Sequence, residues 1–488
     1  MKRDSQLFLL LNIGHFLDHL FMLIFATVAA LALTREWSLS YSELIGYATP
    51  GFFAFGLFAY PAGWIADKWS RDGMMCVFFL GAGLASVATG FAQSPIQIGV
   101  GLFAIGVMAA IYHPVGLAMV TQRWKNTGMR IAVNGVWGNL GVASAALLAG
   151  LLIDSGGWRW AFIVPGIFSI AIGTIYIGFM YSDKEAPIAR SGETPSYELH
   201  PDHKSLLLRV SIIVFLTTAV SSVIFQATTF ALPKIFDERL QGIVAKLATS
   251  IKFFGFDGRI DLATMVGTFA FVVFLIASLA QLVVGSLLDR IGPRRVFMGA
   301  AAIQLVFFGL MAGLRDGWAL AVALGFMLGA FGQIPINDFM IGKLASGPAR
   351  ARIYGIRYVV SFTALAATLP LIAFVYGEWG FDALFRILAV AALCILIGVT
   401  CLPQKMPEPS RDLATSGVHA FGGPAAIEAV GASHAVPRTL PVDLASQSGV
   451  RSQMGKEELQ RLVNQEVDTY LSQRGWVSLA NPKHATSG

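Results

Sequence analysis

Apolar runs of roughly twenty to twenty-seven residues recur along the chain, each closed by a short polar or charged stretch. About 20 such residues let a helix cross a bilayer. The runs fall near 7–33, 44–65, 74–91, 96–121, 131–153 and 160–181, and a second series near 206–232, 262–288, 296–314, 318–341, 353–376 and 383–402. The pattern predicts an all-α membrane protein with twelve transmembrane helices. Proline sets expected irregularities, with Pro50 and Pro61 bending the second span and Pro114 bending the fourth.

Three segments break the pattern. Residues 182–205 are polar, carry Pro187, Pro195 and Pro201, and read as a linker between an N-terminal half, 1–181, and a C-terminal half, 206–402. Within 233–261, Phe236, Leu240, Ile243, Val244, Leu247 and Ile251 recur at helical spacing opposite Asp237, Glu238 and Lys246, which predicts an interfacial helix near 233–251. From Pro403 the composition turns to Pro, Ser, Ala, Gly and His, as in a disordered tail over 403–488. One short amphipathic helix is expected there, near 456–474.

Composition agrees with the spans. Hydrophobic residues make up 55% of the 488, charged residues 13%, and the mean hydropathy is +0.66, too apolar for a soluble protein of this length. The net charge of +6 lies in loops, where it suits lipid headgroups rather than nucleic acid. Cys76, Cys394 and Cys401 lie in or beside apolar runs and imply neither a disulfide framework nor a metal site. No Gly-Lys-Ser/Thr phosphate loop is present, so ATP drive and other cofactors are not expected, and the tail is too short for a catalytic domain. Lys and Arg gather in the loops at one end, among them Lys68, Arg71, Arg123, Arg130, Arg290 and Arg294, against Arg35, Arg159 and Arg315 opposite. That bias predicts cytoplasmic termini in the cytoplasmic membrane.

Polar residues inside the spans are the candidate chemistry, since an ionisable group at bilayer depth costs about 2.5–3.5 kcal/mol on insertion scales. The first span holds Asn12, His15, Asp18 and His19, and the spacing places the last three on neighbouring positions of one helix side. Three uses fit that spacing: a hydrogen-bonded packing cluster, a proton or substrate site, and a metal site, the last weakened because one helix supplies every ligand. His113 beside Pro114, Asn134 in the fifth span, Gln226 and Thr228 in the seventh, and Gln333, Asn337 and Asp338 in the tenth extend the set. Arg357 in the eleventh needs an acid or an anionic ligand, and Asp338 is its simplest partner.

Two charged loops reveal a repeat. Gly285, Asp289, Arg290, Gly292, Arg294 and Arg295 follow the eighth span, and Gly63, Asp67, Lys68 and Arg71 follow the second. Sliding one onto the other also aligns Arg130 with Arg352, so the spans form two pseudo-symmetric six-helix halves. The loops resemble those between helices 2 and 3, and 8 and 9, of the major facilitator superfamily. The first copy departs from the family pattern at Lys68 and Ser70. Tyr112-His113-Pro114 with the polar first span is similar to the fosmidomycin-resistance branch. In contrast, Asp154-Ser155 stands where drug–proton antiporters of the family end a motif in Gly-Pro.

The resemblance implies a secondary transporter, expected as a monomer, that carries a small molecule by alternating access, with helices one, four, seven and ten around a midplane site. The two loops would act as conformational gates, and Asp18, aided by His15 and His19, would take the coupling proton. Asn12, His113, Asn134, Gln226, Asn337, Asp338 and Arg357 are the expected substrate contacts, and the direction leans to efflux of a drug-like or anionic compound. Uptake of an organic anion is the alternative within transport. A membrane-embedded metal-binding enzyme or sensor is the alternative outside it.

Overall fold

The computed structural model describes residues 3–124, 127–181, 201–253, 262–344 and 350–403, with side chains described over the same ranges except 122, 127–128, 181, 201–207, 251–253, 342–344 and 350–358. The expected tail helix, most of the expected linker and the side chain of Arg357 lie outside the described residues.

Every regular element described is helical. Helix α1, Arg3–Val28, continues through a π-helical turn, Ala29–Leu33, and a last short turn to Glu36. The second span is two helices, α2 Tyr41–Gly46 and α3 Thr49–Lys68. Pro50 begins α3 rather than bending one long helix, because a first-turn proline forfeits no intrahelical bond. Helix α4, Arg71–Gly90, starts on Ser70, whose Oγ accepts from the Gly73 N–H at 3.0 Å. The fourth span is α5, Pro95–Ala109, and α6, Tyr112–Arg123. The break falls at Ala110 and Ile111, one turn before Pro114, where the missing proline N–H leaves the Ala110 carbonyl without a helical donor. Helices α7, Thr127–Gly156, and α8, Trp158–Tyr181, complete the first set.

The second set opens with α9, Pro201–Arg239. It runs through Pro233, so the first turns of the expected interfacial helix extend the seventh span, and the separate amphipathic piece is α10, Gln241–Phe253. Helix α11, Leu262–Ile291, turns at Gly292, whose φ of +84° suits a residue without a Cβ, into α12, Pro293–Leu310. Helices α13, Asp316–Leu344, and α14, Arg350–Thr400, follow; α14 breaks at Gly380, φ +71°, and so holds two spans. Among the described residues nine helices are long and apolar enough to cross a membrane, α14 counting once. With its second span and the shorter α3 and α12, the twelve expected spans are present.

Side-chain bonds sort the helix ends. Arg3 donates to the Phe179 carbonyl, Arg123 pairs with Asp4 at 3.1 Å and Tyr176 donates to Asp72, which gathers the N-terminus and the ends of α6 and α8 at one end of the bundle, the terminal end. At the opposite, far end Glu36 accepts from Trp158 Nε1 at 2.6 Å and pairs with Arg159 at 3.1 Å. In the second set Arg239 pairs with Asp382 and donates to the Leu314 carbonyl, while Glu238 accepts from the Tyr376 hydroxyl.

The two sets meet tightly toward the far end. Tyr41 of α2 lies edge-on to Tyr376 of α14, ring centroids 5.4 Å apart, and Phe52 of α3 reaches Phe230 of α9 at 5.9 Å. Helices α7 and α11 cross where Gly150 faces the Ala263 carbonyl and Gly267 the Ala146 carbonyl, approaches that any Cβ would obstruct. Beside them Asp154 accepts from both the N–H and the hydroxyl of Thr264. A carboxylate from one set thus caps the first turn of a helix in the other, where the helix dipole favours negative charge. The residue that departs from the antiporter motif is the one that makes this clasp.

A Cβ at Gly377 would lie 3.2 Å from Ser42 Cβ, close to disulfide range. With Cys76, Cys394 and Cys401 replaced, the Ser42→Cys, Gly377→Cys pair is expected to oxidise readily and to halt transport until reduced. Free turnover in the fully cross-linked protein would show that the far end does not open.

Candidate functional site

Helices α1, α6 and α7 bring their polar residues together in one buried network. Asn134 Nδ2 donates to Asn12 Oδ1 and to the Tyr112 hydroxyl, both at 2.9 Å, and that hydroxyl donates to the Leu11 carbonyl at 2.8 Å. Small residues make the approach possible: a Cβ at Gly138 of α7 would lie 2.7 Å from the His15 ring, and one at Gly14 of α1 2.9 Å from Tyr112. His15 stacks on Tyr112, centroids 4.9 Å apart at 18°.

Hydrogen bonding orders the histidines. His15 Nδ1 is 2.7 Å from the Asn134 carbonyl, and a carbonyl only accepts, so Nδ1 carries the proton. In the neutral ring Nε2 is then bare. It lies 3.2 Å from His19 Nε2, which must be the donor of that pair. Asp18 is fully buried, with Oδ2 3.2 Å from His113 Nε2. That is ion-pair distance, yet neither carboxylate oxygen has a hydrogen bond of proper angle. The His113 ring stands edge-on to both His15 and His19, at 5.3 and 5.4 Å.

One helix does not supply every ligand after all. His113 from α6 completes a group in which one ligand atom each of His15, His19 and His113 lies within 4.8 Å of the others, the residues that could hold a metal ion. The distance from α1 in sequence hid this third member.

The network backs onto a cavity of about 230 Å³ between the two sets. Helix α1 contributes His19, Met22 and Leu23, and α6 contributes His113. Phe52 and Phe55 of α3 and Phe362 of α14 form an aromatic wall, with Phe55 5.1 Å from Phe362 and 5.8 Å from His113. Opposite, Thr218, Ser221, Ser222, Phe225, Gln226 and Thr229 share one face of α9, and Ala330, Gln333, Ile334 and Asn337 one face of α13. Among the described lining residues there is no Lys or Arg.

Of the expected substrate contacts, His113, Gln226 and Asn337 line this cavity. Asn12 and Asn134 instead lie behind its wall, in the network that joins α1 to α7. Asp338 is exposed and off the wall, since 330, 333, 334 and 337 set the inward face of α13 and 338 is one step around. Thr228 is buried but donates back to the Ile224 carbonyl at 2.8 Å. The aromatic wall and the hydroxyls of α9 were not expected; the three- and four-residue spacing from Thr218 to Thr229 is the signal that could have found the latter. The second, fifth and eleventh spans, through Phe52, Val142 and Phe362, join the four expected around the cavity.

The charged loops lie at the terminal end, each bonded within its own set. Asp67 pairs with Arg71 at 2.7 Å, Lys68 sits over the Trp64 ring, and Gly63 packs near Pro114. Arg294 donates to the Thr400 carbonyl at 2.6 Å, while Asp289, Arg290 and Arg295 are exposed, and Gly292 makes the turn. Space around Gly285 is open.

Comparison with known proteins agrees with this geometry. The pattern of the Major Facilitator Superfamily matches residues 11–256 and 259–453. The chain is 26% identical over 352 residues to the multidrug resistance protein MdtG of Proteus mirabilis, covering 71% of this chain and 82% of that one. It is 30% identical over 178 residues to the probable sulfoacetate transporter SauU of Cupriavidus necator, 34% of this chain and 39% of that one. Among solved structures, a bacterial homolog of the lysosomal transporter Spinster, inward-facing and occupied, superposes with a TM-score of 0.62 at 13% identity, covering 82% of this chain and 96% of that one. The D-xylose-proton symporter gives 0.61 at 11%, covering 84% and 99%. These structures share the fold. The chain belongs to the Major Facilitator Superfamily and is a multi-pass membrane transporter of small molecules, not an enzyme.

Proposed function

We propose that this protein is a proton-coupled exporter of small, largely apolar aromatic compounds, with both termini cytoplasmic and the substrate held in the cavity between the two sets. The observation that carries it is Asp18: a buried carboxylate 3.2 Å from a histidine that itself lines that cavity. A charge there is tolerable only while a partner or a proton neutralises it. Proton arrival through His113 removes the charge and departure restores it, so the two protonation states favour different packings of α1 against α6.

Direction and substrate class rest on the wall. Phe52, Phe55, Phe225 and Phe362 supply aromatic area, and no described lining residue is a Lys or Arg that would attract a carboxylate or sulfonate. The likeness to MdtG proteins, named for multidrug resistance, points the same way. Tyr112-His113-Pro114 with the polar α1 supports kinship to the fosmidomycin-resistance branch. In the state described, the Tyr41–Tyr376 contact and the Asp154–Thr264 clasp seal the far end. Export needs those contacts to part while the Gly63 and Gly285 loops close the terminal end.

A second reading, uptake of a small organic anion, has two supports: Arg357, four residues before the lining Ser361, and the partial likeness to a probable sulfoacetate transporter. The two readings part on one pair of variants. Phe362→Ala is expected to weaken ethidium binding several-fold, since an aromatic contact is worth roughly 0.5–1.5 kcal/mol beyond its area. Arg357→Gln is expected to leave it unchanged. Ethidium indifferent to Phe362→Ala, with sulfoacetate uptake abolished by Arg357→Gln, would reverse the assignment.

Coupling is tested in liposomes holding the purified protein and a pH-sensitive dye inside. A pH change on adding ethidium is expected in wild type and lost in Asp18→Asn, with the variant still folded and inserted. Coupled flux at the wild-type rate in Asp18→Asn would remove Asp18 from the mechanism.

A further inference from the structure

Part of the polar stripe on α9 satisfies itself. Ser222 Oγ donates to the Thr218 carbonyl at 2.8 Å and Thr229 Oγ1 to the Phe225 carbonyl at 2.7 Å, the back-bonding usual for hydroxyls in apolar helices. Thr218 Oγ1 donates across to Asn337 Oδ1 of α13 at 3.4 Å.

Three groups on the same wall differ. Ser221 Oγ, Gln226 Nε2 and Gln333 Oε1 have no hydrogen-bond partner among the described residues, although the three side chains' residues are only 5%, 3% and 2% exposed. Gln333 is anchored: its Nε2 donates at 2.6 Å to Oε1 of the fully buried Gln304. The Gln333 amide therefore turns its other end, the oxygen, away from that bond. Two donors on one helix and an acceptor on another thus belong to residues that line the cavity, amid aromatic rings. Buried polar groups of this kind are costly until something meets them.

We propose that these three groups read the polar edge of the substrate, and that the cavity selects flat aromatic compounds bearing an adjacent hydrogen-bond acceptor and donor, as in a primary carboxamide. The ligand carbonyl accepts from Gln226 Nε2 and the Ser221 hydroxyl, its N–H donates to Gln333 Oε1, and the ring lies against Phe225 and Phe362. An isostere without the pair leaves buried groups unmet and binds more weakly than its carboxamide, whereas a compound such as ethidium is held by the aromatic wall alone. The inference rests on the cavity being the substrate site proposed above, and it adds what an apolar wall alone does not supply, a chemical requirement.

Equilibrium dialysis of the purified full-length protein tests it with three probes: naphthalene-2-carboxamide, 2-acetylnaphthalene, which only accepts, and 2-isopropylnaphthalene, which does neither. The carboxamide is expected to bind about tenfold tighter than the ketone, equivalent to ~1.4 kcal/mol, and tighter still than the hydrocarbon. Gln333→Leu should erase the carboxamide's advantage over the ketone, and Gln226→Leu the ketone's advantage over the hydrocarbon. Ser221→Ala, which deletes a single oxygen, should reduce the latter without threatening the fold. Equal affinities in wild type, no binding of the carboxamide, or a preference unchanged in all three variants overturns the proposal. Its failure is separable from that of proton-coupled export. Probe-driven pH change without discrimination sinks the recognition alone, and discrimination without any pH change sinks the coupling alone.

Discussion

A carboxylate inside the first helix is the constraint around which the first set is built. Asp18 is fully buried at a depth where an unneutralised charge is expensive, and His113 on α6 lies at ion-pair distance from it. Holding that ring at 3.2 Å requires α6 to begin afresh at Tyr112, which the Pro114 break permits, and requires α7 to lie close enough for the Asn134 carbonyl to fix His15. The glycines at 14 and 138 follow from the same demand, since either Cβ would press on Tyr112 or His15. The Asn12, Tyr112 and Asn134 bonds then tie three helices into one rigid support.

Rigidity within a set makes movement between sets the cheaper change. The contacts that join the sets toward the far end are small residues, aromatic edges and one clasp, Asp154 on Thr264. Hydrogen bonds to a charged group are worth about 1.5–3 kcal/mol each at most, and a helix N-terminus adds electrostatic support. A seal of that strength can be broken by differences in binding energy of a few kcal/mol, the scale on which a ligand shifts two states.

The fold was legible because bilayer length and apolar composition leave few alternatives, and the repeat of Gly63 and Gly285 gave the two sets before any contact was known. Helix ends were harder. Pro50 and Pro114 read as bends and Pro233 as the end of the seventh span, yet they start a helix, break one a turn upstream and sit inside an unbroken one, because the outcome depends on which carbonyl loses its donor and what packs beside it. The site was legible by residue type and not by direction. His113, Gln226 and Asn337 face the cavity, whereas Asn12 and Asn134 face each other, and Asp338 misses the wall by one residue's rotation. Phenylalanine carries no signal in a chain this apolar, so the wall of Phe52, Phe55 and Phe362 could come only from tertiary placement.

The chemistry divides between the sets. Titratable groups lie on α1 and α6, and the unmet neutral groups on α9 and α13, with the aromatic wall between them. Phe55 touches both sides, 5.8 Å from the His113 ring and 5.1 Å from Phe362. In the mechanism proposed above, a substrate seated against the α9 stripe presses on the same ring that borders the proposed proton site, without needing a charge of its own. Coupling of two sites requires only that each ligand favour the same packing of a shared element or oppose it. With the shared element an aromatic side chain rather than an ion pair, the coupling tolerates varied ligands as long as they fill the wall. On that proposal, the neutral stripe limits which of them are held, and the carboxylate decides when they are released.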